Sequence, residues 1–247
     1  MQLEARSIGR QSIPADARVV LSSQQLVGAE FRDRRLVQFP SDGCRFERCD
    51  FGGSEIESVS FGAGRQVSVY VGCNFDGAKL RMGPAGYARF VDCSFEKTTI
   101  EAWFCLVVEV IDCWFSGRLK KVVFNGAVPM DKQLVSGRGQ SRFKGKDMLM
   151  ATLIDVGFRT GIDLSRQRLP EGDEYTYFPD ALSAVRRARL TFNAWEDPGA
   201  KSAARGVLAI MEEDVAAGQR QLLMRVNDYP RGDRTAIRKL LDAAETC

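Results

Sequence analysis

Residues 44–51 read Cys44-Arg45-Phe46-Glu47-Arg48-Cys49-Asp50-Phe51, and residues 88–95 read Ala88-Arg89-Phe90-Val91-Asp92-Cys93-Ser94-Phe95. In both, a large aromatic residue returns after five positions, with a small residue two places before it. The step extends outward in both directions. It runs through Leu26, Phe31 and Leu36, then Phe46, Phe51, Ile56 and Phe61, then Phe75 and Leu80. It resumes at Phe90, Phe95, Ile100, Cys105, Val110 and Phe115, and again at Phe143, Met148, Leu153 and Phe158. Neither the 3.6-residue helical period nor the two-residue strand period produces a step of five. A chain that turns a square corner every five residues does, because each fifth side chain then meets a common axis.

The position two residues earlier is mostly small: Ala29, Cys44, Cys49, Ser54, Val59, Cys73, Ala78, Ala88, Cys93, Thr98, Cys113, Ser141, Ala151 and Val156. Gln24, Arg34, Trp103, Val108 and Lys146 depart from this. Five of the seven cysteines stand two residues before a Phe, where 15 Phe in 247 residues would give fewer than one by chance. An odd cysteine count without any CxxC argues against a disulfide framework and a thiolate zinc site. The thiols are expected in the interior, as small apolar groups.

These residues resemble the pentapeptide-repeat family, whose unit is a small residue, a polar residue, Leu or Phe, then two polar residues. The resemblance covers about residues 24–170. It implies a mainly β fold, a right-handed quadrilateral β-helix with four repeats per coil, here followed by a C-terminal α-helical cap or bundle. The expected organisation is an N-terminal cap over 1–25, the β-helix over 26–170, and a linker with a helical domain over 171–247. Dividing the repeat span by about 20 residues per coil gives about seven coils and a rod of about 35 Å.

The chain carries 35 Lys and Arg against 32 Asp and Glu, a net charge of +3, and no histidine. Absence of His excludes Ser-His-Asp and Cys-His machinery and the HExxH zinc helix. No catalytic, cofactor-binding or metal-binding residue is expected, and the chain is read as a non-enzyme. The start lacks a basic segment followed by an apolar run, and stretches such as Leu222-Leu223-Met224 fall far short of the roughly 18 residues of a membrane span. The expected compartment is the cytoplasm.

The repeat is interrupted near 62–72, 82–87 and 125–140, where Gly and Pro mark loops. The third loop lies in the most basic region: Arg118 to Arg168 holds eleven Lys or Arg against four Asp, an excess of +7. Its residues Arg118, Lys120, Lys121, Lys132, Arg138, Arg142, Lys144 and Lys146 are candidates for partner binding. Trp103 and Trp114, in small or polar slots of adjacent coils, are a candidate exposed aromatic patch. Gly139–Lys146 has the wrong spacing for a phosphate loop, with Asp147 in place of the magnesium-binding hydroxyl.

After Pro170 the pattern turns helical. Asp180 is a candidate cap for a helix with Leu182, Val185, Arg189, Phe192 and Trp195 on one face. Lys201–Ala217, Gln219–Asn227 and Asp233–Glu245 complete about four helices, the last turning Ile237, Leu240, Leu241 and Ala244 inward. They would cover the solenoid's open end or serve a homodimer.

A filled β-helix without catalytic residues points to a binding protein that inhibits, neutralises or protects a bacterial protein partner by occupying it. The family resemblance implies a second reading, a DNA-mimic modulator of a type II topoisomerase such as gyrase that gives quinolone or toxin protection; the +7 stretch runs against it. A third reading is a nucleic-acid-binding module that uses residues 118–168.

Overall fold

The computed structural model describes residues 16–83, 86–145 and 147–245, together with the backbone of the strand Gln2–Leu3. Parallel strands stack level on level into a β-solenoid. The strands Arg35–Asp42, Glu55–Phe61, Lys79–Met82, Ser94–Glu101, Trp114–Asn125 and Ala151–Arg159 belong to a ten-stranded sheet. Gln25–Val27, Arg45–Glu47, Ser68–Val71, Tyr87–Val91, Val107–Ile111 and Phe143–Lys144 form a six-stranded one. The registers Leu36↔Ile56↔Leu80↔Ile100↔Leu119↔Leu153 and Leu26↔Phe46↔Tyr70↔Phe90↔Val110↔Phe143 show the lane residues in columns.

Of the expected lane, every residue except Phe143 is buried, and Phe143 packs against the same core. Phe31, Phe51, Phe75, Phe95 and Phe115 stack nearly parallel, with centroids 4.6, 4.7, 4.7 and 4.7 Å apart. This matches the spacing of about 4.8 Å between hydrogen-bonded strands, so each coil sets one ring on the ring below. Phe46, Tyr70 and Phe90 make a second stack, at 4.5 and 4.8 Å. Burying one such ring contributes about 1.5–3 kcal/mol, and each aromatic pair adds about 0.5–1.5 kcal/mol.

The small slot has its own chemistry. The thiols of Cys49, Cys73 and Cys93 donate to the carbonyls of Leu26, Phe46 and Tyr70 in the coil below, at 3.4, 3.6 and 3.5 Å. Thr98 Oγ1 donates in the same way to Phe75 O at 2.8 Å. Neighbouring thiols and burial push Cys49 and Cys93 well above the ordinary thiol range, which keeps them protonated and unreactive.

In one column the sizes of the two slots exchange. Where the lane residue is Phe61, the slot two before it is Val59; where the lane residue is Ser41 or Cys105, that slot holds Phe39 or Trp103, both buried. A close-packed interior accepts either order if the summed volume is kept. Trp103 therefore lies inside, edge-on to Phe90 at 5.6 Å, and the expected Trp103–Trp114 surface patch does not form. Ser41 also satisfies the Tyr70 hydroxyl at 2.6 Å, a polar contact that the fully buried ring needs.

Several expected boundaries shift. Ala17–Val19 and Leu21–Ser22 already pair in parallel with Arg35–Asp42, so part of the expected cap at 1–25 is solenoid; residues 4–15 lie outside the described residues. The interruption near 62–72 shrinks to 62–67, because Ser68–Val71 is a strand. That near 82–87 lies between the strands Lys79–Met82 and Tyr87–Val91, with Pro84 and Ala85 outside the described residues. The seven-coil expectation counted inserted residues as repeat. From Phe31 to Met148 the column makes five turns.

Among the described residues the C-terminal part has three α-helices where about four helices were expected: α2 (Ala181–Ala194), α3 (Pro198–Ala216) and α4 (Arg234–Glu245), with α1 (Met130–Ser136) lying inside the third interruption. Residues 219–227 hold the strand Leu222–Arg225, which pairs antiparallel with Tyr175–Phe178 inside the expected linker. This hairpin faces two ways. Tyr175, Tyr177 and Leu223 pack on the solenoid core, while Phe178, Leu222 and Met224 enter the helical core. Asp180 caps α2 by accepting from Ser183 N–H at 3.1 Å. The buried face of α2 is Ala181, Ala184, Val185 and Ala188, with Leu182 turned outward, because small residues let α3 and α4 approach closely. On α4 the four expected residues are buried.

Cap side chains satisfy the last coil's open edge. Tyr175 Oη accepts from Leu153 N–H (3.0 Å), Asp228 Oδ2 from Asp155 N–H (2.9 Å), and Gln221 Oε1 from Leu164 N–H (2.6 Å). Buried Gln219 accepts from the N–H groups of Gly161 and Ile162 and donates to the carbonyls of Ile162 and Gln221. Stranding these groups is costly, so Gln219→Ala should lower unfolding free energy by about 2–4 kcal/mol. Urea titration checks this, and a loss below about 0.5 kcal/mol would contradict the capping role.

Burial holds the Asp228 carboxyl above its usual range, against the pull of Arg225. The native state then keeps this proton longer than the unfolded chain, so the stability contributed by the group is lost as pH rises through its native pKa. The melting temperature of Asp228→Asn relative to wild type should therefore rise between about pH 4 and pH 7. A relative melting temperature that falls over that range would be the wrong sign.

Candidate functional site

The basic stretch does not gather on one surface. Arg118, Lys120 and Lys121 belong to the strand Trp114–Asn125 of the ten-stranded sheet, and Lys120 Nζ lies 3.0 Å from Glu101 Oε1. Arg142 and Lys144 come with the six-stranded sheet, Arg168 pairs with Asp147, and Arg159 Nε lies 3.2 Å from Asp214. Lys132 pairs with its neighbour Asp131 at 3.2 Å. Lys146 lies outside the described residues. Trp114 is half exposed, apart from buried Trp103.

The structure instead centres on Glu109, the acid within the otherwise apolar strand Val107–Ile111. Its side chain is fully buried. Arg89, one coil below in register, places Nε 2.5 Å from Oε2, and Arg142, one coil above, places Nε 3.4 Å from Oε1. Arg138 arrives from the third interruption, with Nη1 3.5 Å from Oε2 and Nη2 donating to Val107 O at 3.0 Å. Burial lowers the Arg138 pKa while Glu109 opposes that shift. Three guanidinium groups around one carboxylate leave a local excess of two positive charges. Glu109 and Arg89 lie outside the basic stretch; the signal for Glu109 was a single acid in a strand of Val and Ile, and Arg89 follows from it only through the strand register.

This cluster fixes α1. Before the helix, Val128 is buried and its N–H donates to Gly139 O at 2.9 Å. After it, Gly137 adopts the left-handed conformation, with φ 68°, and its N–H donates to Gln133 O. Arg138 then locks the return to Glu109, and an antiparallel bridge, Ala127–Gln140, closes the base. Between these fixed ends α1 buries none of its residues: Met130 is 88% exposed and Leu134 94%.

Surface grooves lie elsewhere. One of about 500 Å³ between Arg35, Glu55, Lys79, Arg81 and Glu101 is lined by alternating charges, among them the Lys79–Glu55 pair. Another, of about 610 Å³, follows the seam beside Leu149, Tyr175, Tyr177 and Leu223. Among the described residues no cluster of three or more His, Cys, Asp or Glu is placed to hold a metal ion. No helix among them is long and apolar enough to cross a membrane.

No protein-family model matches the chain, and no curated protein matches it. Among solved structures it is similar to QnrB1, a plasmid-mediated fluoroquinolone resistance protein, with 14% identity over 61% of this chain and 79% of that one. The TM-score of that match is 0.19, so the fold assignment rests on the strand registers and ring stacks described above.

Proposed function

We propose that the chain is a pentapeptide-repeat protein that acts without catalysis, as a rigid scaffold that binds one protein partner and inhibits, neutralises or protects it by occupation. One observation carries this reading. The axis is filled by ring stacks, which leaves the sides and the projecting third interruption as the working surface. Insertions held on rigid elements are where recognition concentrates. The chain immobilised through its C-terminus and exposed to native lysate should retain one protein reproducibly, as identified by mass spectrometry. A chain that retains nothing, or that turns over a small molecule, would remove the scaffold reading.

A further inference from the structure

We infer that α1 is the docking element of this scaffold, and that its partner is a protein with an apolar groove rimmed by carboxylates. The inference rests on the scaffold reading and assigns it a site. The fold spends a buried carboxylate and three arginines on positioning a seven-residue helix that buries nothing of its own. Met130 and Leu134, one helical turn apart, project together from that helix. Two large apolar side chains at 88% and 94% exposure gain nothing from the folded monomer. An apolar i, i+4 pair held at this exposure suits insertion of a helix into a groove.

Charge selects the occupant. Lys132 on α1 is balanced by its neighbour Asp131, the one acid of residues 125–140, while the cluster that Arg138 joins at the foot of the helix sets three arginines against one carboxylate and leaves an excess of two positive charges. A partner rimmed by Asp and Glu meets complementary potential here, whereas a basic one is repelled. The pair of fixed ends also removes the ordering cost that a flexible loop would incur on binding.

The test places a photo-crosslinking amino acid at Leu134 of the full chain, irradiates it in native lysate and sequences the linked peptide. Affinity of the purified partner is then measured for wild type and variants. The expected peptide carries an excess of Asp and Glu beside apolar residues. Met130→Asp with Leu134→Asp should weaken binding about 100-fold without changing the melt, since both side chains are exposed. Lys132→Glu, on α1 and outside the Glu109 cluster, should weaken it about threefold to tenfold and lessen its salt dependence, and Lys97→Glu should leave it unchanged. Crosslinks to a second copy of this chain, to nucleic acid or to a basic peptide would overturn the inference. So would a partner retained in full by the Met130→Asp, Leu134→Asp variant; that result leaves the scaffold reading standing. Capture of nothing by wild type would remove both.

Discussion

Phe75→Ala should lower the free energy of unfolding by about 3–5 kcal/mol, the largest loss expected from any single truncation in the solenoid. Phe75 is the middle ring of five, 4.7 Å from Phe51 and from Phe95, and it also meets Phe61, Phe90 and Tyr70 at 5.7, 6.1 and 6.2 Å. Coils above and below are held by strand registers, so neighbouring side chains cannot collapse into the vacated volume. The cavity term then adds to the lost transfer energy. Phe104→Ala is the matched control, because that ring is 51% exposed and should cost less than about 1 kcal/mol. Urea titrations of both variants decide the matter, and equal losses would mean that the rings do not stack on the axis.

Gly62→Ala should cost about 2–5 kcal/mol through the backbone alone. Gly62 has φ +74°, and a Cβ there would lie 1.9 Å from Tyr87 O in the next coil. The two backbones are joined by Tyr87 N–H donating to Gly62 O at 2.9 Å, so they cannot part without losing a ladder bond. Gly86 faces the same contact from the other side, where a Cβ would meet Gly62 O at 2.0 Å. Gly28 separates strain from collision: its φ is +62°, yet a Cβ would meet nothing within 4 Å. Gly28→Ala should therefore cost only the left-handed strain, about 1–2 kcal/mol. Equal losses at the two positions in thermal or urea melts would contradict the close coil-to-coil approach.

Five-step periodicity made the core legible wherever each coil kept 20 residues. It lost the phase where the length changed. Four extra residues separate Phe46 from Tyr70, so Tyr70 was missed although it is the middle ring of the second stack. The register Ile100↔Leu119 spans 19 residues, with the irregularity near Gly117, which moved Leu119 and Phe124 off the expected lane. Phe39 and Trp103 were missed for a different reason, the exchange of large and small residues between the two interior slots. Trp103 consequently read as a surface residue.

Beyond the repeat, local pattern was a weaker guide. Leu222–Arg225 is four residues long, too short for its period to separate strand from helix, and its strand character comes from pairing with Tyr175–Phe178. On α2 the apolar count favoured Leu182, whereas close helix packing selected alanines. The candidate site was half legible. Arg138 and Arg142 could be read from charge density, but the carboxylate that gathers them is one coil away in space and about 30 residues away in sequence. Summed charge says nothing about which strand edge each residue joins. For that reason the +7 stretch divided between two sheets.

Central to this account is an interior built from every fifth residue with its thiol partner two positions before. Alkylation of the native chain with iodoacetamide, read out peptide by peptide by mass spectrometry, tests it most directly. Cys44, Cys49, Cys73, Cys93, Cys105 and Cys113 are all buried with free thiols. They should stay unlabelled in the native chain and label fully in denaturant. Native labelling of Cys49, Cys73, Cys93 or Cys113 at the rate of the unfolded chain would contradict the solenoid interior.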